Sequence, residues 1–144
     1  MAEEKKFKIG MIYTSYFAFI RRLPVDMLKM SVSLFTPQWA KIDGFLPYFN
    51  PPEKLLREAK SGKISLDEAM KIYREEILGK LSPARVYEEL LTILQKNGKR
   101  DLALLCYEKP GEICHRRIIA EWLESALQVS ILEYIPNNIQ LFLI

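Results

Sequence analysis

The side chains best suited to chemistry stand close together between residues 104 and 117. This stretch holds both cysteines of the 144-residue chain, Cys106 and Cys114, and its only histidine, His115, which Arg116 follows. A thiolate is a nucleophile, a histidine exchanges protons near neutral pH, and an arginine carries a permanent positive charge. The segment therefore predicts a functional site, although these residue types do not decide which reaction takes place there.

Cys114 is the candidate nucleophile of this segment. It opens a helical pattern, where the helix dipole and the cation of Arg116 would favour the thiolate. His115 would act as an acid or a base, Glu108 would orient it or neutralise an arginine, and Cys106 completes the candidate catalytic set. A structural role stays open as the alternative, in which Cys114 is a small buried residue that packs the start of the helix.

The spacing of these residues excludes several well-known chemistries. The chain has no Cys-x-x-Cys redox pair, no arginine six residues after either cysteine as in a phosphatase loop, and no second histidine for a two-histidine zinc motif. The two cysteines could still bind zinc with His115 and Glu108, but the seven residues between them do not match a regular closed site. We predict no metal site and identify no cofactor, and a reversible disulfide stays open.

An anion-binding pocket is the interpretation that these residues support most broadly. A helix start offers backbone amides, and an adjacent arginine adds charge, so a phosphate or a carboxylate would bind there whatever the cysteines do. Hydroxyl groups at the ends of predicted strands would complete the pocket. The candidate ligand-binding residues are Arg116, Tyr13, Thr14, Ser15 and Ser33.

Strands and helices alternate along the chain and would position this site. Strands are predicted at 7–13, 27–35, 101–106 and 129–135, and helices at 53–60, 65–77, 82–97 and 114–127. Alternation of this kind is typical of an α/β domain, and we predict a single three-layer domain over 1–144 with a mainly parallel sheet and helices on both faces. The turns after parallel strands meet at one edge, so the hydroxyls and the cysteine segment should share a crevice.

A long aromatic loop is predicted between residues 36 and 52, with Trp39, Tyr48 and Phe49 among its side chains. Aromatic rings of this kind could stack on a nucleic-acid base. More often they cap a core beneath the loop, and we expect that role for most of them. Nucleic acid therefore stays a weakly supported partner.

The composition is that of an ordinary globular protein, with 49% hydrophobic and 27% charged residues. The net charge of +3 is smaller than a dedicated nucleic-acid-binding protein usually carries. The N-terminal residues lack the apolar core of a signal peptide, and the longest uncharged stretches are too short to span a bilayer as a helix. We therefore expect a cytoplasmic protein without a membrane partner; its oligomeric state stays open.

Two segments of this chain resemble the signature of the domain of unknown function family number 488. They are Cys106-Tyr107-Glu108 and, after a short turn, Cys114-His115-Arg116 at the opening of a helix. The stretches further upstream that fit the layout of that family are 13–15, 31–33 and 46–47. The resemblance implies a compact α/β domain with the cysteine segment as its functional site, and it supplies no reaction.

One stretch differs from many members of that family. Where they carry Asp-Val-Arg after the first helix, this chain reads Lys29-Met-Ser-Val-Ser33, which suggests a subgroup that uses serines there. Residues and resemblance together predict an enzyme or binding protein for a small anionic or phosphorylated ligand. The alternative is a non-catalytic module that binds nucleic acid or protein.

Overall fold

The computed structural model describes residues 11–107 and 115–134. The strands in these residues are β1 (Met11–Tyr16), β2 (Met27–Ser31), β3 (Gly44–Phe45), β4 (Asp101–Cys106) and β5 (Leu132–Glu133). The α-helices in the same residues are α1 (Glu53–Ser61), α2 (Leu66–Ile72), α3 (Pro83–Lys96) and α4 (His115–Leu127). All neighbouring strands are parallel, in the order β3-β2-β4-β1-β5, so the predicted α/β class is confirmed.

Strand β4 lies at the centre of the sheet and organises the fold. Asp101, its first residue, pairs with Met11 of β1 on one side and with Met27 of β2 on the other. The following residues, 102–106, are completely buried. A strand that is covered on both faces needs a continuous apolar run rather than an alternating pattern. The sequence Leu-Ala-Leu-Leu-Cys meets that need, and the prediction of a buried strand here is confirmed.

The two faces of the sheet are covered differently. Buried residues from all four α-helices pack together on one face, in a core that includes Leu55, Leu90 and Leu123. The other face is covered by a 3-10 helix, Phe17–Arg22, with Leu23 and Ala40. In the described residues, the layer on this second face is thus a short 3-10 helix. The sequence pattern had predicted further helices on this face.

The predicted helix boundaries agree closely with the structure. Helix α1 ends at Gly62, which has a φ of 81° that other residues rarely adopt. The Ser65 hydroxyl accepts a hydrogen bond from the Glu68 amide at 3.0 Å and so caps the start of α2. Helix α2 continues as a π-helical turn over Tyr73–Ile77, which accounts for the longer helix that the sequence predicted.

Several strands differ in their bounds from the predicted ones. Strand β1 continues to Tyr16, and β5 covers only Leu132–Glu133. Strand β2 ends at Ser31, and four of its five residues are buried because packed layers cover both faces of the sheet. Strand β3 lies inside the predicted loop 36–52, where Gly44 and the nearby prolines concealed it. Residues 7–10 of the first predicted strand lie outside the described residues.

Candidate functional site

The carboxyl edge of the sheet gathers polar side chains that are far apart in the sequence. Tyr16 aligns with Cys106 across β1 and β4, and Thr14 aligns with Glu133 across β1 and β5. Because the chain after β4 returns to this edge at the start of α4, Arg116 lies beside the same strand ends. The predicted convergence of hydroxyl, thiol and arginine is therefore present.

Arg116 is buried in a bidentate ion pair with Glu133. Its Nε lies 3.0 and 3.2 Å from the two carboxylate oxygens, and its Nη2 lies 2.7 Å from Oε2. The remaining nitrogen, Nη1, donates to the Cys106 sulfur at 3.2 Å and to the Tyr107 carbonyl at 3.3 Å, and the guanidinium carbon lies 5.4 Å from the centre of the Tyr16 ring. All three nitrogens therefore have protein partners.

This ion pair changes the part that Arg116 can play. Its side chain is 3% exposed, and the Glu133 carboxylate already balances its charge. A ligand anion would have to compete with that carboxylate in a geometry that arginine and carboxylate match well. What Arg116 does here is join α4 to β4 and β5.

Thr14 and Arg117 extend the network around the same carboxylate. The fully buried Thr14 hydroxyl donates to Glu133 Oε1 at 2.5 Å and accepts from Arg117 Nη1 at 2.8 Å. Arg117 Nη1 also donates to the carbonyl of Ile131 at 3.1 Å. The Thr14 hydroxyl is thus engaged as donor and acceptor within the protein.

Cys106 ends β4 inside this network and is completely buried. Its sulfur lies 3.2 Å from Nη1 of Arg116 and 3.4 Å from the carbonyl oxygen of Tyr107. Because the sulfur is buried, a reagent cannot reach it unless the edge opens. The contacts indicate a part in organising the site.

His115 is held firmly as the first residue of α4. Its Nε2 lies 2.9 Å from the carbonyl oxygen of Val32, and since a carbonyl only accepts, Nε2 carries a proton. The ring of Tyr73 packs edge-on against the imidazole, with the two ring centres 5.6 Å apart. The Tyr73 hydroxyl donates to the carbonyl of Phe49 at 2.7 Å. Burial, with a smaller effect from Cys106, raises the pKa of Tyr73, so its hydroxyl stays protonated.

A cavity of about 350 Å³ opens beside this histidine, between α1, the segment after β2 and the start of α4. Its apolar wall consists of Leu34, Phe35, Pro51, Leu56, Ala59 and Tyr107. Its polar lining consists of Ser33, Glu53, Arg57, Lys60 and His115. A mostly apolar cleft with a few convergent polar groups is typical of a small-molecule site.

Ser33 is the polar group of the cavity that most needs a partner. It is 6% exposed, and its hydroxyl makes no hydrogen bond with any described residue. Ser31, two residues earlier, differs because its hydroxyl lies 2.7 Å from that of Thr36. A buried hydroxyl without a partner costs free energy, so the cavity side of Ser33 is suited to a ligand.

The positive charges at the cavity come from α1. Arg57 and Lys60 both line it, together with Glu53. The Arg57 guanidinium lies 3.8 Å from the Glu53 carboxylate, and both side chains are mostly exposed. An exposed pair of this kind is weak, so Arg57 can turn towards a bound anion at little cost.

The predicted site residues fall into three places. Ser33 and His115 line the cavity, whereas Cys106, Thr14 and Arg116 belong to the buried network. Tyr13 and Ser15 point to the opposite face of β1, where the Ser15 hydroxyl donates to the carbonyl of Tyr134 at 2.8 Å. The Tyr13 ring packs edge-on against Tyr134 at 5.3 Å, and burial raises its pKa.

The other two candidate catalytic residues, Glu108 and Cys114, lie outside the described residues. Sequence reasoning missed Glu133, Arg57 and Lys60. The signal for Glu133 was an acid inside a predicted strand, since a buried carboxylate needs a cation or hydrogen-bond donors. Nothing in an amphipathic helix distinguished Arg57 and Lys60 from solvated surface residues.

Residues 11–107 and 115–134 offer neither a cluster of metal ligands nor a membrane-spanning helix. These residues contain no group of three or more His, Cys, Asp or Glu side chains that could hold a metal ion. None of the helices that they form is long and apolar enough to cross a membrane.

A parallel α/β fold with a buried Cys–Arg–Glu network and a cavity at its carboxyl edge defines the class of this protein. The chain belongs to the DUF488 family: the family model described as DUF488-N3a, "Active DUF488-N3 subclade", matches residues 17–127. The resemblance of the cysteine segment to that family is thereby confirmed. No curated protein and no solved structure matches the chain.

Proposed function

We propose that the protein binds a small organic anion, with an apolar part as well as a charge, in the cavity at the carboxyl edge. The observation that carries this proposal is Ser33, a residue that lines the cavity and whose buried hydroxyl has no partner among the described residues. A ligand with one hydrogen-bonding group would satisfy that hydroxyl. Buried polar groups inside proteins are nearly always hydrogen-bonded, so such an exception calls for an explanation.

The size and the wall of the cavity support a compact ligand. A volume of about 350 Å³ lies at the lower end of the range of ligand pockets. Phe35 is 59% exposed although it is aromatic, and it lines the cavity beside Leu34 and Tyr107. Burial of apolar ligand surface against these side chains would provide part of the binding free energy.

The negative charge of the ligand would be bound by side chains of α1. Arg57 and Lys60 would contact the anion, because Arg116 is already engaged by Glu133. Arg116 is then a positioning residue that holds Tyr107, the residue after β4, next to the cavity through its carbonyl. His115 lines the same space.

A catalytic role is the second part of the proposal. Cys114 directly precedes His115, which lines the cavity, and we assign Cys114 as the nucleophile with Glu108 and His115 as proton-transfer groups. The matched subclade is described as active, which agrees with an enzyme. A reducing compartment such as the cytoplasm would keep both thiols reduced, and we propose that location.

Binding is tested by calorimetric titration with phenyl phosphate and with inorganic phosphate. We expect phenyl phosphate to bind more tightly, because only its ring can contact the apolar wall. The variant R57A/K60A should bind phenyl phosphate at least about tenfold more weakly, since a hydrogen bond to a charged group contributes about 1.5–3 kcal/mol. The charge-matched control K71A/K80A removes two exposed lysines that do not line the cavity. Equal loss in both variants would exclude binding at this cavity.

The nucleophile is tested by alkylation of the folded protein with iodoacetamide near neutral pH, followed by peptide mass spectrometry. Cys114 should be labelled much faster than the buried Cys106, and phenyl phosphate should slow the labelling. Slow labelling of Cys114 would remove it from the proposal while leaving the binding site intact.

A further inference from the structure

A second, shallow depression lies next to the cavity on the surface of α1. It is lined by Lys54, Arg57, Glu58, Lys60, Ser61 and Lys63, and we name it the basic shelf. Four of these six side chains are cations, and the one carboxylate, that of Glu58, pairs with Lys63 at 3.5 Å. The shelf therefore favours negative charge over an area much wider than a single phosphate.

The cavity and the basic shelf adjoin each other. Arg57 and Lys60 line both of them, so a ligand that leaves the cavity past these two residues arrives on the shelf. Helix α1 advances about 1.5 Å per residue, which places Lys54 and Lys60 about 9 Å apart along its axis. A row of cations of this length can contact several linked negative charges, whereas a single small anion would contact only part of it.

The cavity offers what an unpaired base requires. Phe35 and Tyr107 provide aromatic surface, and base–aromatic stacking is the usual means by which proteins hold single strands without reading their sequence. The Ser33 hydroxyl, which is buried and without a partner among the described residues, would hydrogen-bond a polar atom of that nucleoside.

We propose that the ligand is the end of a single-stranded nucleic acid, with its terminal nucleoside in the cavity and its following phosphates on the basic shelf. This inference rests on the proposed function, since it names the class of anion that enters the cavity. Arg57 and Lys63, whose side chains are 68% and 72% exposed, would exchange the carboxylates of Glu53 and Glu58 for phosphates at little cost.

The test measures fluorescence anisotropy of a labelled thymidine octanucleotide, in two versions that differ in the labelled end. For single strands the logarithm of the binding constant falls with the logarithm of salt concentration by about 0.7 per neutralised phosphate. Four cations give a slope of about −2.8, so affinity should fall about 50-fold between 50 and 200 mM salt. The variant K54A/K63A should show a slope of about −1.4 and only about a sevenfold fall. The control K71A/K80A should keep the original slope.

The cavity end of the strand is tested by F35A, with F35Y as the control that keeps an aromatic ring. F35A should weaken octanucleotide binding at least about fivefold, the lower limit for loss of a base–aromatic stack. Double-stranded DNA of the same length should bind more weakly, because its bases are paired.

Three results would overturn this inference: equal binding of thymidine monophosphate and octanucleotide, an unchanged salt slope in K54A/K63A, or equal binding of duplex and single strand. Phenyl phosphate distinguishes the two levels of the proposal. If it still binds in a manner that depends on Arg57 and Lys60, the small-anion site stands and only the nucleic acid is excluded. If it does not bind either, both proposals are wrong.

Discussion

Replacement of Glu133 by glutamine is the sharpest perturbation of the buried network. The substitution keeps the size of the side chain and removes the charge that balances Arg116, whose side chain is 3% exposed. Loss of one partner from a buried ion pair costs about 3–5 kcal/mol, because the other charge stays buried without compensation. Glutamine retains one oxygen that can accept a hydrogen bond from Arg116 or Thr14. We therefore expect the free energy of unfolding to decrease by about 3 kcal/mol, the lower end of that range.

The assay is urea denaturation followed by circular dichroism, with a thermal melt as a second readout. A loss of about 3 kcal/mol should lower the melting temperature by roughly 6–12 °C in a domain of this size. The control is E121Q, which removes the same charge from the Arg74–Glu121 pair at 3.5 Å, where the two side chains are 50% and 63% exposed. That pair should contribute less than about 1 kcal/mol.

Equal destabilisation by E133Q and E121Q would refute this reasoning, because it would mean that the buried pair adds nothing beyond an exposed one. The double variant R116M/E133L separates the ion pair from the packing around it. Apolar side chains of similar size often replace a buried ion pair without loss, so the double variant should be more stable than E133Q.

Four other substitutions test separate parts of the structure. S33A should leave the free energy of unfolding unchanged or raise it, because the Ser33 hydroxyl has no partner among the described residues. S31A should lower the free energy of unfolding by about 1 kcal/mol, because the contact with Thr36 is lost. Urea denaturation of both variants compares them directly. Burial raises the pKa of Tyr73, so above about pH 10 the folded state keeps a proton that the unfolded state loses. The contribution of this tyrosine to the free energy of unfolding should be complete below about pH 10 and should decrease above it. Urea denaturation between pH 9 and 11 should therefore show a smaller decrease in the free energy of unfolding for Y73F than for the unmodified protein. L90A should cost about 2–5 kcal/mol, because Leu90 is completely buried in the core, and a loss below about 1 kcal/mol would contradict that packing.

The sequence predicted the elements whose signals are local. The end of α1 before Gly62, the start of α2 after Ser65 and the apolar strand β4 each depend on a few adjacent residues, and these predicted elements were confirmed. Strand β3 was missed because it pairs through only two residues, Gly44 and Phe45, and depends on β2 for its hydrogen bonds. No periodicity can arise in so short a strand.

The site was predicted in part for the same reason. The return of the chain to the carboxyl edge follows from parallel topology, so the meeting of Cys106, Thr14 and Arg116 could be expected. Their partner Glu133 could not, because pairing across 17 residues between α4 and β5 depends on tertiary structure. That pairing is what moves the expected anion-binding charge from Arg116 to Arg57 and Lys60.

The most direct test of the central claim is a nuclear magnetic resonance titration of the nitrogen-15-labelled protein with phenyl phosphate. We predict saturable shifts that are largest for the backbone amides of Ser33, Phe35 and Arg57, which line the cavity. The amides of Tyr13 and Ser15, on the opposite face of β1, should change little. The absence of a saturable shift, or a maximum on that opposite face, would show that the cavity at the carboxyl edge is not the binding site.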